Sequence, residues 1–271
     1  MKFGMSTLAC PSWTLEQVAA AAREYGYDGV ELRLLDGEVI TPALVRANRD
    51  RLRRLFGEGK PDLVALGSSV RVSVARPEER AAQERDLPEL IELARELGVP
   101  MVRVFGGRFP DGDDEATAVR RAAASLQQYA STAQRAGITL ALETHDDFSR
   151  STVVAAALSQ VPSSAVGALW DTHHPYRMGE NVAEVWANLA SRLVHVHIKD
   201  ARRRADGGWD LVLLGDGEVP CREITRALAL RGYHGYVVAE WEKKWHPEIL
   251  EPDVALPQHL AKLKEWTADL A

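Results

Sequence analysis

Cysteine is scarce in this chain. Cys10 and Cys221 are the only two, and no CxxC pair occurs. Two cysteines cannot build a disulfide framework, so the composition fits a reducing, cytoplasmic setting. Long apolar runs are also missing. No stretch approaches the roughly 18 uninterrupted apolar residues that a membrane-spanning helix needs. The N-terminal segment has a lysine at position 2 but no long apolar run after it, so no signal peptide is read. A strongly basic segment is absent too. The nearest is Arg202-Arg203-Arg204, which is short and soon followed by Asp206, and the net charge is −6. Such a balance does not favour a nucleic-acid partner. No GxGxxG follows the first apolar run, so the dinucleotide-binding form of an open doubly wound sheet lacks its fingerprint. No low-complexity tract, linker or domain boundary interrupts residues 1–271, which are read as one domain.

What remains is ordinary globular material, with 46% hydrophobic and 27% charged residues, enough for a large core. Short apolar runs alternate with longer amphipathic stretches throughout. The runs at residues 2–7, 29–33, 62–67, 101–105, 138–143, 166–170, 193–198 and 236–240 read as strands. Between and after them, helices are expected near residues 14–25, 42–55, 78–97, 114–136, 151–159, 182–189, 222–230 and 252–268. Thr14 with Gln17 three residues later gives a capping-box pattern, and Gly26 closes that helix. The charged, glycine-containing stretch 200–220 is read as a loop. Eight βα units of about 34 residues each predict an α/β fold, a single closed (β/α)8 or TIM barrel.

In such a barrel the C-terminal strand ends converge on the functional face. Glu143 ends strand five, Asp171 ends strand six, His197 is near the end of strand seven and Glu240 ends strand eight. Each has an ordinary explanation when taken singly. A strand-end glutamate is often a solvated loop residue, an aspartate there is often a helix cap, and a strand histidine is often buried structure. Together, one per consecutive strand, they aim three carboxylates and an imidazole at one point. That donor set suits one divalent ion such as Mn²⁺, Mg²⁺, Co²⁺ or Zn²⁺. His195 has the same parity as His197 but lies deeper, and is taken as a supporting or structural residue. Glu31 and Arg33 share parity on strand two, so they read either as pocket-facing residues or as a structural ion pair at the mouth, with the structural reading preferred. His145 lies just beyond Glu143 on the same face, within reach of a substrate. Trp13, Trp241 and Trp245 read either as an apolar wall for a sugar face or as seam packing. The Gly215-Asp-Gly217 turn reads equally as a tight turn or an anion loop, and no phosphorylated substrate is inferred from it.

Several motifs in this order carry a resemblance over nearly the whole chain. They are Gly29-Val-Glu-Leu-Arg, Ala141-Leu-Glu-Thr-His, Trp170-Asp-Thr-His-His-Pro, His195-Val-His-Ile-Lys-Asp, Leu214-Gly-Asp-Gly-Glu-Val and Gly232-Tyr-His-Gly-Tyr-Val-Val-Ala-Glu-Trp-Glu. The chain resembles the xylose isomerase-like TIM barrel superfamily, in particular its sugar phosphate isomerase/epimerase branch. The resemblance implies that Glu143, Asp171, His197 and Glu240 bind the metal, and that Glu143 and Glu240 are also the catalytic acid/base pair. It implies a substrate-binding histidine at His174. It also implies a basic residue after the strand-seven histidine, for which Arg203 matches the spacing best and Lys199 is the second candidate. Members of the superfamily are often dimers or tetramers, so a homo-oligomer is compatible with it.

The expected activity is isomerisation or epimerisation of a small sugar, ketose or inosose by proton transfer through a metal-stabilised enediolate. A metal-assisted hydride shift would serve isomerisation as well. A dehydratase (lyase) acting on an inosose or dehydroshikimate-like substrate would use the same metal and base. An endonuclease of the same superfamily is disfavoured. It needs further histidines, and Leu66-Gly-Ser-Ser-Val-Arg, Val104-Phe-Gly-Gly and Asp210-Leu-Val lack them. A non-catalytic binding protein is disfavoured by the full four-ligand set. The expected partner is a small carbohydrate-like molecule, with no nucleic acid and no membrane.

Overall fold

The computed structural model describes residues 1–57, 59, 61–109 and 112–270. Eight parallel strands close into a barrel: β1 (Lys2–Ser6), β2 (Gly29–Leu32), β3 (Asp62–Arg71), β4 (Met101–Phe105), β5 (Thr139–Glu143), β6 (Val166–Asp171), β7 (Leu193–Ile198) and β8 (Tyr236–Ala239). Each strand pairs with its sequence neighbour, and β8 returns to β1 with Val238 opposite Gly4, which leaves no sheet edge. Helices cover the outside. The longest are Pro77–Leu97, Glu115–Ala136 and Pro252–Thr267. Among the described residues, no helix is long and apolar enough to cross a membrane.

Local signals set the helix boundaries. Thr14 and Gln17 form the full capping box at the start of Leu15–Tyr25, and Asn181 with Glu184 forms another at Val182–Leu189. The stretch expected to be one helix over 42–55 is two, Pro42–Ala47 and Arg49–Leu55. The break falls at Asn48, whose side-chain amide donates to the Leu44 carbonyl at 3.0 Å and so competes with the helical ladder. The stretch expected to be a loop over 200–220 contains an antiparallel hairpin, Asp200–Arg203 with Trp209–Val212. A short helix, His173–Arg177, and a small hairpin at Leu34–Leu35 and Glu38–Val39 are further additions to the βα pattern.

Alternation along the strands positions the site. Ala65, Met101, Ala141 and Leu169 form an apolar cluster apart from the main core. Each sits two residues before Gly67, Arg103, Glu143 and Asp171 respectively, so the same faces carry these groups one step nearer the mouth. The apolar layer excludes water from below, and the polar layer above it is the candidate site.

Candidate metal centre

Glu143, Asp171, His197 and Glu240 each offer one donor atom, and these four atoms lie within 4.8 Å of one another. Their exposures range from 0% for Asp171 and His197 to 5% for Glu240. His197 Nδ1 lies 3.0 Å from Glu143 Oε1 and 3.2 Å from Glu240 Oε1. On its other side, His197 Nε2 lies 2.8 Å from Glu31 Oε2, and His195 Nε2 reaches the same oxygen at 3.1 Å. With its Nε2 proton donated to Glu31, His197 would need only to give up its Nδ1 proton to turn a lone pair toward the three carboxylates. A carboxylate behind an imidazole is how proteins fix the orientation of a metal-binding histidine. The donor set, three buried carboxylates and one imidazole nitrogen converging on one point, therefore fits a divalent cation.

Two buried cations hold the glutamates. Arg103 Nη1 donates to Glu143 Oε2 at 3.0 Å, and its guanidinium sits 3.8 Å from the centre of the Phe105 ring. Lys199 Nζ donates to Glu240 Oε2 at 2.7 Å, lies 2.7 Å from Asp171 Oδ2, and also bonds Glu242. Each glutamate thus has one oxygen tied to a cation and the other aimed at His197. Gly67 makes room for this packing, because a Cβ there would meet Glu31, Arg103 and Arg33 atoms at 3.2 to 3.3 Å.

The charges shift one another strongly. Burial pushes the Glu143 carboxyl up, but Arg103 and His197 outweigh it and hold it at about 2. Burial likewise opposes ionisation of Glu240, and Lys199 and His197 bring it well below the usual carboxylate range. Asp171 is pushed up to about 7 by burial, with Lys199 opposing and the neighbouring glutamates adding. Burial disfavours the His197 cation, yet Glu31, Glu240 and Glu143 raise it well above its ordinary value. Burying so many ions costs several kcal/mol each before pairing, a cost that stability alone does not explain.

Of the residues expected to meet substrate, His174 is 5% exposed, with Nε2 3.6 Å from Asp171 Oδ2 and no hydrogen-bond partner for either ring nitrogen among the described residues. Burial and the Lys199 charge keep it neutral. The His145 ring packs edge-on to it at 4.5 Å, with Nδ1 3.2 Å from Asp146 Oδ1. Asp146 has a left-handed backbone, φ 50°, a local strain of the kind that collects at functional sites. Lys199 is inside the cluster. Arg203 is exposed on the hairpin, where the chain has left the barrel wall and strand-seven parity no longer applies, and it shares no bond with the cluster.

A cavity of about 330 Å³ opens above the cluster, bounded by Arg33, Arg103, Phe105, Glu143, His145 and Glu240 among others. Trp245 also lines it, whereas Trp241 is 1% exposed and packs on His259 instead. Glu31 and Arg33 are not the ion pair that their parity suggested. Glu31 turns to the two histidines, and Arg33 Nη1 donates to the Gly67 carbonyl at 3.0 Å and Ser69 Oγ at 2.8 Å. The Gly215-Asp-Gly217 turn is committed internally: the amides of Gly215 and Gly217 both donate to Asp200 Oδ2 at 2.9 and 3.0 Å. Sequence reasoning passed over Arg103. Its signal is an arginine in the middle of the apolar strand Met101–Phe105, a charge that must be buried and paired.

A closed parallel barrel that gathers three carboxylates and an imidazole at its C-terminal mouth has the design of a metal-capable barrel enzyme. The comparisons with known proteins narrow that class. The chain belongs to the xylose isomerase-like TIM barrel family, whose profile matches residues 19–266. Fructoselysine 3-epimerase of Shigella flexneri is 26% identical over 251 residues, covering 89% of this chain and 90% of that protein. Inosose dehydratase of Bacillus licheniformis is 32% identical over 110 residues, covering 35% of this chain and 34% of that protein. Among solved structures, the IolI protein with a bound zinc atom superposes with a TM-score of 0.81 at 18% identity, covering 100% of this chain and 98% of that one. The first two are named as an epimerase and a dehydratase, and the third shares the fold.

Proposed function

We propose that the chain isomerises or epimerises a small sugar, ketose or inosose by proton transfer at the carbon beside a carbonyl, with Glu143 and Glu240 as the acid/base pair. The observation that carries this reading is that both glutamates are ionised, buried, and individually oriented by Arg103 and Lys199 around one point. Glu143, Asp171, His197 and Glu240 would hold one divalent ion, Mn²⁺, Mg²⁺, Co²⁺ or Zn²⁺. When bound there, it supplies Lewis-acid stabilisation of negative charge on a substrate oxygen. One glutamate removes the proton and the other returns it. Return to the opposite face of the same carbon gives an epimer, and return to the neighbouring carbon gives the aldose–ketose isomer. His174, neutral and with no hydrogen-bond partner among the described residues, would bond a substrate hydroxyl, with His145 beside it. Lys199 fixes Glu240 and adds positive charge near the reacting oxygen. The relatedness to fructoselysine 3-epimerase over most of the chain supports the epimerase form.

A second reading is a dehydratase. The local likeness to inosose dehydratase favours it, and loss of a β-hydroxyl after the same proton removal needs no new base. One experiment tests both. Protein purified without chelator is analysed for metal and assayed on ketoses and inososes with each of the four ions, following epimer, isomer and unsaturated or diketone products. About one ion per chain, with activity lost in EDTA and restored by metal, is expected. Absence of bound metal and of restored activity under every condition would remove the proposal.

A further inference from the structure

Beside the cavity over the cluster lies a larger one of about 760 Å³, and Arg71 and Asp146 line both. The outer groove is bounded by Arg71, Arg76 and Arg108, with Glu79 and Asp146 as its carboxylates. Both carboxylates are already engaged, Glu79 3.7 Å from Arg76 and Asp146 3.2 Å from His145 Nδ1. Arg71 and Arg108 therefore stand without an ion-pair partner within 4 Å among the described residues. They are held there by the fold. β3 runs ten residues and carries Arg71 to the barrel mouth, opposite Phe105 of β4. The Arg71 stem lies against Gly107, at φ +91°, where a Cβ would come within 3.3 Å of it. Gly107 in turn leads directly into Arg108. Unpaired guanidinium groups on the rim of a substrate cavity contrast with a chain whose net charge is −6. Such a local positive field draws and orients anions.

We propose that the substrate carries an anionic group, a phosphate ester or a carboxylate, which the groove of Arg71, Arg76 and Arg108 receives while the carbonyl end lies over the carboxylate cluster. The inference rests on the reading of that cluster as the place of carbonyl chemistry. The inner cavity is the size of a small sugar, and the outer groove takes what extends beyond it. Arg71, on the border of both, bonds the anion nearest the reacting end, and Arg108 and Arg76 close around it from the loop after β4 and from the start of the helix Pro77–Leu97.

The test uses calorimetric binding to the metal-loaded protein of three probes that differ at one end: fructose, fructose 6-phosphate and the 6-carboxylate fructuronate. One anionic probe is expected to bind at least about tenfold tighter than fructose, with the gain falling as salt rises. The gain should disappear in Arg71→Gln/Arg108→Gln, and shrink in the exposed single variant Arg108→Gln, with metal content unchanged in both. A preference for fructose 6-phosphate assigns a phosphorylated substrate, and a preference for fructuronate assigns an acid. Equal affinity of all three probes overturns the proposal, as does a gain that survives in the double variant. Failure of the carbonyl-chemistry reading looks different: no bound metal and no turnover of any probe, whatever their relative affinities.

Discussion

Strands β5 to β8 bring Glu143, Asp171, His197 and Glu240 to the barrel mouth, whereas β2 to β4 bring Arg33, Arg103 and Arg71. The acidic half is buried and converges on a point within 4.8 Å. The basic half is graded, from Arg103 at 2% exposure through Arg33 at 7% to an exposed Arg71. Glu31 is the exception on β2, and it crosses to hold His195 and His197. The difference teaches a division of labour. On the two proposals made above, the closed acidic cluster keeps a cation and the open arginine rim meets an anion that comes and goes. Arg103 joins the halves through Glu143, so the two sets of charge neutralise each other where they touch.

The strongest way to break the acidic half is Glu240→Gln. The amide keeps the shape but loses the proton acceptor, a metal-binding charge and the Lys199 ion pair. Turnover should fall on the order of a hundred- to ten-thousandfold, and elemental analysis should show weakened metal retention. Wild-type activity in this variant would remove Glu240 from the acid/base role. Arg103→Gln breaks the junction between the halves. It leaves the buried Glu143 charge facing a neutral group, so stability should drop by about 3–5 kcal/mol in denaturant titration. Turnover should fall about ten- to a hundredfold as Glu143 loses its fixed orientation. A variant as stable as the parent would mean that Glu143 finds another partner.

The two halves were unequally legible in sequence. The acidic one could be read because its members sit one per strand at strand ends, a pattern that barrel geometry turns directly into proximity. Arg103 and Arg71 sit in or beyond apolar strands at positions without a recurring spacing, so nothing linear announces that they share a mouth. Glu31 and Arg33 show the limit from the other side. Parity put both on the inner face, but Glu31 chooses His197, more than 160 residues away, and Arg33 chooses Gly67 and Ser69 on the next strand, distances in sequence that no local pattern spans. The helix expected over 42–55 failed for a local reason, since Asn48 offers its amide to the Leu44 carbonyl. The hairpin at Asp200–Arg203 and Trp209–Val212 was hidden because charge and glycine read as loop.

A smaller effect sharpens the comparison by removing a titration that belongs to neither half. His259 is 0% exposed, packs edge-on to Trp241 at 5.3 Å, and has no hydrogen-bond partner for either ring nitrogen among the described residues. Burial holds its pKa down at about 4, against an ordinary value of 6.5. Between those values the unfolded chain takes up a proton that the folded protein refuses. The stability this histidine contributes is therefore intact above pH 6.5 and is lost as pH falls toward 4. By pH 5 the loss should be about 2 kcal/mol relative to pH 7. His259→Phe should flatten that part of the urea-midpoint profile, while the dependence of metal binding on pH stays as it was. An unchanged profile would place the acid sensitivity in the mouth instead.

The smallest expected effect separates Lys199 from Arg203, the two basic residues that follow the strand-seven histidine. Lys199 is 1% exposed and bonds Glu240 and Glu242, with Asp171 at 2.7 Å. Arg203 is exposed on the hairpin, where its backbone amide donates to Glu218 Oε1 at 2.9 Å and its side chain has no bonded partner among the described residues. A surface arginine in that position typically changes free energies by no more than about 0.5 kcal/mol, which is roughly twofold in a rate or binding constant. Arg203→Ala should therefore leave kcat/KM within about twofold, and Lys199→Met should lose most of it together with metal retention. If Arg203→Ala instead raises KM more than about tenfold at unchanged kcat, the hairpin folds over the substrate during binding and Arg203 reaches it. In that event the positive charge around the substrate would extend from the β2–β4 rim across to the β7 side. The mouth would then be a ring of cations around an acidic centre rather than two opposed halves.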